Sequence, residues 1–111
     1  MNYGRDDSFE FFGGSVNASY LISKAAADDN FDFDNGYNGE INFAVAIADK
    51  NSTHSQSSGS SDSNGIESDN NSPTEQGGSY TLTPKTHPIL SNFTIVGTST
   101  SDAIRTSWRF F

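Results

Sequence analysis

The side chains best suited to chemistry in this sequence are carboxylates that alternate with aromatic residues. The clearest run is DDNFDFDNGYNGEINF over residues 28–43, and a shorter acidic segment, GIESDNN, covers 65–71. Successive side chains of a β-strand point to opposite faces, so if Phe31 and Phe33 face a core the neighbouring carboxylates face outward. Four carboxylates share matching offsets between the two segments: Asp32, Asp34, Glu67 and Asp69.

Like charges stacked on neighbouring strands destabilise a sheet, so something has to offset this acidic ladder. Ca²⁺ binds carboxylate, carbonyl and amide oxygens, and we predict Asp32, Asp34, Glu67 and Asp69 as its candidate ligands. The alternatives are an ion pair with Arg105 at the end of a Glu10–Asp32–Glu67 column, or a solvated acidic face capped by turn amides.

The same carboxylates have an enzymatic interpretation. Retaining glycosidases hold two carboxyl groups about 5 Å apart, which is close to the spacing of neighbouring strands. Every acidic ladder gives that distance, however, and no basic residue is placed to complete a lyase site. The pattern therefore favours a non-enzymatic protein, with a carbohydrate-active or carbohydrate-binding fragment as the alternative.

Internal repeats indicate which elements carry these side chains. DSFEF begins at Asp7 and DNFDF at Asp29, and the later lines NGIES and SDAIR begin at Asn64 and Ser101. The alignment predicts an inward hydrophobic column: Phe9, Phe31, Ile66 and Ile104. Strand-like segments from Val16, Gly39 and Ile89 follow, and their alternation predicts further inward columns: Ala18, Ile41 and Ser91; Tyr20, Phe43 and Phe93; Ile22, Val45 and Ile95.

A repeat of this length with two or three short strands is typical of a solenoid. We predict an all-β fold, a short right-handed parallel β-helix of about four coils, with long loop insertions in its second half. An antiparallel sandwich is the alternative. The predicted organisation is a single domain over 1–111: coils over 5–48, a Ser-rich mobile loop over 49–64, later coils over 65–105 with an inserted loop at 70–87, and an apolar tail over 106–111.

Composition restricts the partners. The net charge of -8 argues against nucleic-acid binding and against docking on anionic lipid. No stretch is long and apolar enough to span a membrane, and the first ten residues lack the apolar region of a signal peptide. The open ends of a short solenoid and its apolar tail predict either a homo-oligomer that pairs end to end or a tail that folds over the open core as a plug. Phe12, Tyr37 and Tyr80 fall outside the inward register and are candidates to stack on a glycan.

The chain contains DDSFEFFGGSVN over residues 6–17 and DDNFDFDNGYNG over residues 28–39. These two segments resemble an uncharacterised repeat in large secreted or lipid-anchored proteins of Bacteroidetes and marine proteobacteria. The resemblance covers roughly residues 5–105, apart from the Ser-rich loop. It implies a β-helical segment with an extracellular or cell-surface location, and it carries no assigned activity. We therefore expect a structural or binding module from a surface protein, with Ca²⁺ stabilisation as a hypothesis.

Overall fold

The computed structural model describes residues 1–49, 56–57, 60–61, 63–74, 77–97 and 108–110. Regular structure in these residues consists of β-strands: β1 (Phe9–Phe12), β2 (Ala18–Lys24), β3 (Phe31–Asp34), β4 (Glu40–Ile47), β5 (Gln56–Ser57), β6 (Ser60–Ser61), β7 (Ile66–Ser68), β8 (Ile89–Val96) and β9 (Trp108–Phe110). Within these ranges, no helix has the length and apolarity that a membrane span requires.

The strands form two parallel sheets and one small hairpin. The first sheet has the order β1-β3-β7-β9 and the second has the order β2-β4-β8, while β5 and β6 pair antiparallel. All neighbouring strands within the two larger sheets are parallel. Parallel pairing requires the chain to return to the same end before each new strand, which is what the sequence repeat predicts. The prediction of an all-β fold with stacked parallel strands is confirmed, whereas the winding hand and the number of coils stay predictions.

The core lies between the two sheets and is built from aromatic ladders. Phe9 stacks on Phe31 and Phe11 stacks on Phe33, each with ring centroids 5.3 Å apart. Phe31 also meets Phe93 of the opposite sheet edge-on, at 5.4 Å. Such contacts add about 0.5–1.5 kcal/mol per pair beyond the burial of apolar area. The ladders therefore connect successive layers, where a layer is one strand of the first sheet and the following strand of the second sheet. They also join the two sheets.

The register between the first two layers matches the sequence alignment. Phe9 pairs with Phe31, and Ala18 pairs with Ile41. Two predicted registers are wrong. In β8, Leu90 rather than Ser91 lies beside Ile41, so this strand is shifted by one residue. In the first sheet Trp108 lies beside Ile66, where Ile104 was predicted, and Ile104 itself lies outside the described residues.

The inward alternation of the second sheet is also wrong beyond the first residues of β2 and β4, whereas Phe93 and Ile95 of β8 pack against the core as predicted. Tyr20, Phe43 and Asn92 occupy the same place in the three layers, and each has a positive φ of 55–60°. A residue in this left-handed conformation breaks the period of two, so it and its predecessor both point outward and the next residue points inward. Ala44 is consequently buried, whereas Phe43 is 45% exposed. Tyr20 and Ile22, also predicted inward, are exposed as well.

The turn after β3 is formed by Asn35 and Gly36, both with positive φ. It is closed by a hydrogen bond from the Tyr37 amide to the Asp34 carbonyl oxygen, 3.0 Å long. A Cβ at Gly36 would lie 2.6 Å from the Pro84 carbonyl oxygen, so the inserted segment packs directly on this turn. The predicted insertion over 70–87 thus returns to the body of the fold. Of the Ser-rich segment, the described part includes the β5–β6 hairpin, and all other residues of 50–62 lie outside the described ranges.

Candidate functional site

The outer face of the first sheet carries the predicted column of carboxylates. Glu10 pairs in register with Asp32, and Asp32 pairs with Glu67, which confirms this column. The backbone position beside Glu67 in the next strand belongs to Arg109, not to Arg105, which lies outside the described residues. Three acidic residues therefore follow one another across strands β1, β3 and β7.

A second row of polar side chains lies just before these strands, and its carboxylates accept hydrogen bonds from backbone amides of the next layer. The Asp7 carboxylate accepts a hydrogen bond from the Asp29 amide at 2.7 Å. One layer further, the Asp29 carboxylate accepts from the Asn64 amide. Asp7, Asp29 and Asn64 are the first residues of the three repeat lines, so the repeat places an oxygen acceptor below each successive amide. This row uses its carboxylates to satisfy buried backbone donors.

Asp29 also contacts the outer column. Its side chain is 2% exposed and hydrogen-bonds to the Glu67 carboxyl group. Two carboxyl groups can share a hydrogen bond when one of them keeps its proton. Burial, followed by the contact with Glu67, raises the pKa of Asp29 far above its usual range. The pair therefore holds a proton where two free carboxylates would repel each other.

Asp32 lies at the centre of the column. One of its carboxylate oxygens is buried and has no hydrogen-bond partner among the described residues. Burial, reinforced by the charges of Asp7 and other nearby carboxylates, raises the pKa of Asp32 to about 8. Oxygens of Asp7, Glu10 and Asp32 lie within 4.8 Å of one another. Burial also raises the pKa of Asp7, to about 7. The geometry suits either retained protons or a bound cation.

The four predicted calcium ligands do not come together as one group of this kind. Asp32 and Glu67 are register neighbours, but Asp34 is 8% exposed and its carboxylate accepts from the Asn35 amide at 2.7 Å, within the turn. Asp69 follows β7, and its amide donates to the Phe33 carbonyl oxygen. The described carboxylates that cluster most closely are instead Asp7, Glu10 and Asp32, and Asp6, Asp7 and Asp28. The pairing of Asp6–Asp7 with Asp28–Asp29 in the repeat alignment is the signal that could have identified them.

The outer face of the second sheet has a different character, because aromatic rings line it. Tyr20 and Phe43 stack with ring centroids 5.2 Å apart and an angle of 2° between the ring planes. Tyr20 is 77% exposed. Asn92 occupies the position of a third ring in this column, since it shares their left-handed conformation. The ring of Phe43 therefore has an aromatic neighbour on the Tyr20 side and an amide on the other side.

A groove of about 570 Å³ runs beside this stack. It is lined by three equivalent triplets, residues 20–22, 43–45 and 92–94, one from each layer. Ile22, Val45 and Thr94 form its second wall, where the register pairs Ile22 with Val45 and Val45 with Thr94. None of the described lining residues carries a carboxylate, an ammonium or a guanidinium group. The groove is thus an uncharged, largely apolar surface open to solvent.

Polar amides border the aromatic column. The side-chain oxygen of Asn42 accepts from the Ser91 hydroxyl at 3.0 Å and from the Asn92 amide nitrogen at 2.8 Å. Within the described part of the chain, the side-chain nitrogen of Asn42 and the side-chain oxygen of Asn92 make no further hydrogen bond. One donor group and one acceptor therefore stand beside Phe43 for a ligand or water.

The aromatic residues predicted to be exposed behave differently from one another. Phe12 is 61% exposed and Tyr80 is 49% exposed, as predicted. The prediction for Tyr37 is wrong, because this residue is fully buried and its hydroxyl donates to the Val16 carbonyl oxygen at 2.7 Å. The sequence pattern looks regular across Tyr20 and Phe43, so it predicts that both point inward, whereas both are exposed beside the groove.

Comparison with known proteins gave one family and no individual relative. A family model described as a pectate-lyase like beta helix domain matches residues 1–107. Neither the curated proteins nor the solved structures gave a match. The family match supports the β-helical repeat predicted from the sequence, while the narrower resemblance to the bacterial surface segment stays a prediction.

Proposed function

The chain belongs to the pectate-lyase-like β-helix family, and from this premise we propose that it is a non-enzymatic binding module whose β2-β4-β8 face binds a glycan. The observation that carries this proposal is the exposed Tyr20–Phe43 stack beside an open groove. Sugar rings have apolar C–H faces that pack on aromatic rings, and their hydroxyl groups need nearby donors and acceptors. Asn42 and Asn92 supply both at the rim of the groove.

The position of the carboxylates supports binding rather than cleavage. The inner faces of the two sheets pack on each other through Phe31 and Phe93, so their outer faces lie on opposite sides of the molecule. The acidic column belongs to one outer face and the groove to the other. A glycan held in the groove would lie away from Asp32 and Glu67, the residues that a carbohydrate-active alternative requires.

Affinity electrophoresis in gels that contain soluble polysaccharides tests the proposal. We expect the wild-type protein to be retarded in at least one glycan gel, and Tyr20→Ala with Phe43→Ala to lose about tenfold or more in affinity, which corresponds to about 1.4 kcal/mol. Phe12→Ala is the matched control, since it removes an exposed aromatic ring from the other sheet. No retardation in any gel, or equal loss with Phe12→Ala, would refute the proposal. Release of new reducing ends or unsaturated products would favour the enzymatic alternative.

A second proposed property is stabilisation by Ca²⁺, at a site that differs from the one predicted from the sequence. It is supported by the buried Asp32 oxygen, which has no hydrogen-bond partner in the described part of the chain and lies beside Asp7 and Glu10. Ca²⁺ would supply the positive charge and the oxygen coordination that this arrangement lacks. At pH 8, we expect added Ca²⁺ to raise the melting midpoint of the wild-type protein and to leave the melting midpoint of Asp32→Asn unchanged. An equal midpoint in Ca²⁺ and in EDTA would exclude structural calcium.

Two further expectations belong to this proposal. The predicted extracellular location suits a glycan-binding module, and the predicted end-to-end pairing requires open strand edges. The N-terminal segment covers part of one edge, because the Tyr3 amide donates to the Lys24 carbonyl oxygen at 2.9 Å and the Lys24 amide donates to Met1. Light scattering on the purified protein tests the oligomeric state.

A further inference from the structure

We propose that the groove selects neutral glycans and discriminates against polyuronates, the anionic class to which pectate belongs. This inference rests on the proposed glycan binding and adds the chemical class of the ligand. Its basis is the uncharged lining of the groove together with the strong negative charge of the chain. The groove has an aromatic wall, an aliphatic wall and bordering amides, and none of its described lining residues is cationic.

A polyuronate brings one carboxylate per sugar residue, and each has to be desolvated or paired when it enters a binding site. Recognition of repeated anionic groups normally uses arginine or lysine. The cation nearest to the groove along β2 is Lys24, and its Nζ lies 5.6 Å from the ring centroid of Tyr3, at the end of the sheet. Among the described residues that line the groove, none carries an ammonium or guanidinium group that could meet a row of carboxylates.

The polar atoms at the rim point to the same class of ligand. The Asn92 side-chain oxygen can only accept a hydrogen bond, and the Asn42 amide nitrogen can only donate one. A sugar hydroxyl both donates and accepts, so it satisfies either atom. A carboxylate only accepts, and it would be repelled by the Asn92 oxygen. A carboxylate can therefore pair only with the Asn42 side-chain nitrogen, whereas a hydroxyl group satisfies either rim atom.

The net charge of the whole chain adds a long-range electrostatic repulsion of anionic ligands. A net charge of -8 repels an anionic polymer over a Debye length of about 8–10 Å at ordinary salt. The same repulsion opposes a second copy of the chain as the occupant of the groove. A neutral glycan meets neither obstacle.

The test compares polygalacturonate with its carboxyl-reduced form, which keeps the sugar backbone and linkage but lacks the charge. A panel of other neutral polysaccharides accompanies the pair. Binding is measured by affinity electrophoresis and calorimetry, in EDTA so that Ca²⁺ cannot bridge carboxylates. We expect neutral glycans, the reduced polymer among them, to bind at least tenfold more tightly than polygalacturonate, with little dependence of their affinity on salt.

Thr94→Lys provides a gain of function, because it adds an ammonium group to the exposed wall of the groove. We expect this variant to gain affinity for polygalacturonate at low salt and to lose the gain as salt increases, with Thr94→Gln as the uncharged control. Wild-type binding of polygalacturonate as tight as that of the reduced polymer would overturn the neutral preference but leave glycan binding standing. Failure to bind any glycan would refute both, and so would a dimer that dissociates in Phe43→Ser, because copies of the chain would then occupy the groove.

Discussion

Individual carboxylates in this fold serve as hydrogen-bond acceptors first and as charges second. The carboxylates of Asp7 and Asp29 each accept a hydrogen bond from a backbone amide of the following layer, and the Asp34 carboxylate accepts one from the Asn35 amide in its own turn. Protons retained at Asp29 and Asp32 lower the charge that would otherwise accumulate. The sequence alone predicted the column of Glu10, Asp32 and Glu67. It could not show which carboxylates turn towards backbone amides, because that depends on how the turns between layers close.

The raised pKa of Asp32 predicts a pH-dependent effect of Asp32→Asn. The folded-state pKa is about 8, whereas an unfolded Asp titrates near 4. The folded state therefore holds a proton that the unfolded state releases, and stability decreases as the pH rises from about 4 to 8. Asp32→Asn removes this loss, so we expect it to be about 1–2 kcal/mol more stable than wild type at pH 8, allowing for solvent screening, and nearly equal at pH 4.

Urea denaturation at the two pH values measures this difference. Glu40→Gln is the control, because Glu40 is an exposed carboxyl residue of the other sheet. A variant that is less stable than wild type at pH 8 would contradict the account of Asp32.

Removal of the Asp29 carboxylate should lower the stability of the protein, which is opposite to the effect expected for Asp32→Asn at pH 8. In Asp29→Ala the Asn64 amide loses its acceptor, and a buried donor without a partner costs about 1–3 kcal/mol. Asp29→Asn keeps a carbonyl oxygen in the same place, so we expect it to retain most of the stability. The free energies of unfolding of the two variants separate the acceptor role from the charge, and equal destabilisation by both would argue against the acceptor role.

At the scale of the strands, the repeat in the sequence predicted which segments pair but not how every side chain is directed. The first sheet follows simple alternation because its strands are short and regular. The second sheet reverses its alternation at Tyr20, Phe43 and Asn92. Tyr and Phe are unusual in the left-handed conformation, so only Asn92 gives a recognisable signal. The small inward pair Ala44 and Ala46 is the trace that the reversed pattern leaves in β4.

This reversal predicts how residue 92 responds to substitution. Asn92→Gly keeps access to positive φ, whereas a β-branched side chain is disfavoured there. We expect Asn92→Val to be about 1–2 kcal/mol less stable than Asn92→Gly, with the difference measured by denaturant unfolding. Equal stabilities would show that the strand keeps ordinary alternation in solution and that Phe93 is not held inward by this turn of the backbone.

At the scale of the whole molecule, two parallel sheets pack through an aromatic core and leave two contrasting outer faces. One face collects carboxylates, and the other presents a groove whose described lining residues carry no charged side chain. The sequence predicted the acidic face because charge is visible in the alternation of residue types. It did not predict the groove, which exists only because the left-handed residues turn two aromatic rings outward in register.

The acidic face makes the stability of the entire domain depend on pH. Raised pKa values at Asp7, Asp29 and Asp32, and at Glu10, all have burial as their largest cause. The folded protein thus binds more protons than the unfolded chain between about pH 4 and 8, so its stability falls as the pH rises through this window. We expect the melting midpoint in EDTA to drop by about 5 °C or more from pH 5 to pH 8. A midpoint that rises over this range would contradict the assigned protonation of the cluster.

Binding of a glycan to the β2-β4-β8 groove is the central claim, and amide chemical-shift mapping of the ¹⁵N-labelled protein during titration with a neutral oligosaccharide tests it most directly. We expect the largest shifts in the three layers that line the groove, at residues 20–22, 43–45 and 92–94. The signals of amides near Asp7, Asp32 and Glu67 on the opposite face should not shift. Shifts that centre on those carboxylates, or a spectrum that no neutral glycan changes, would contradict the account.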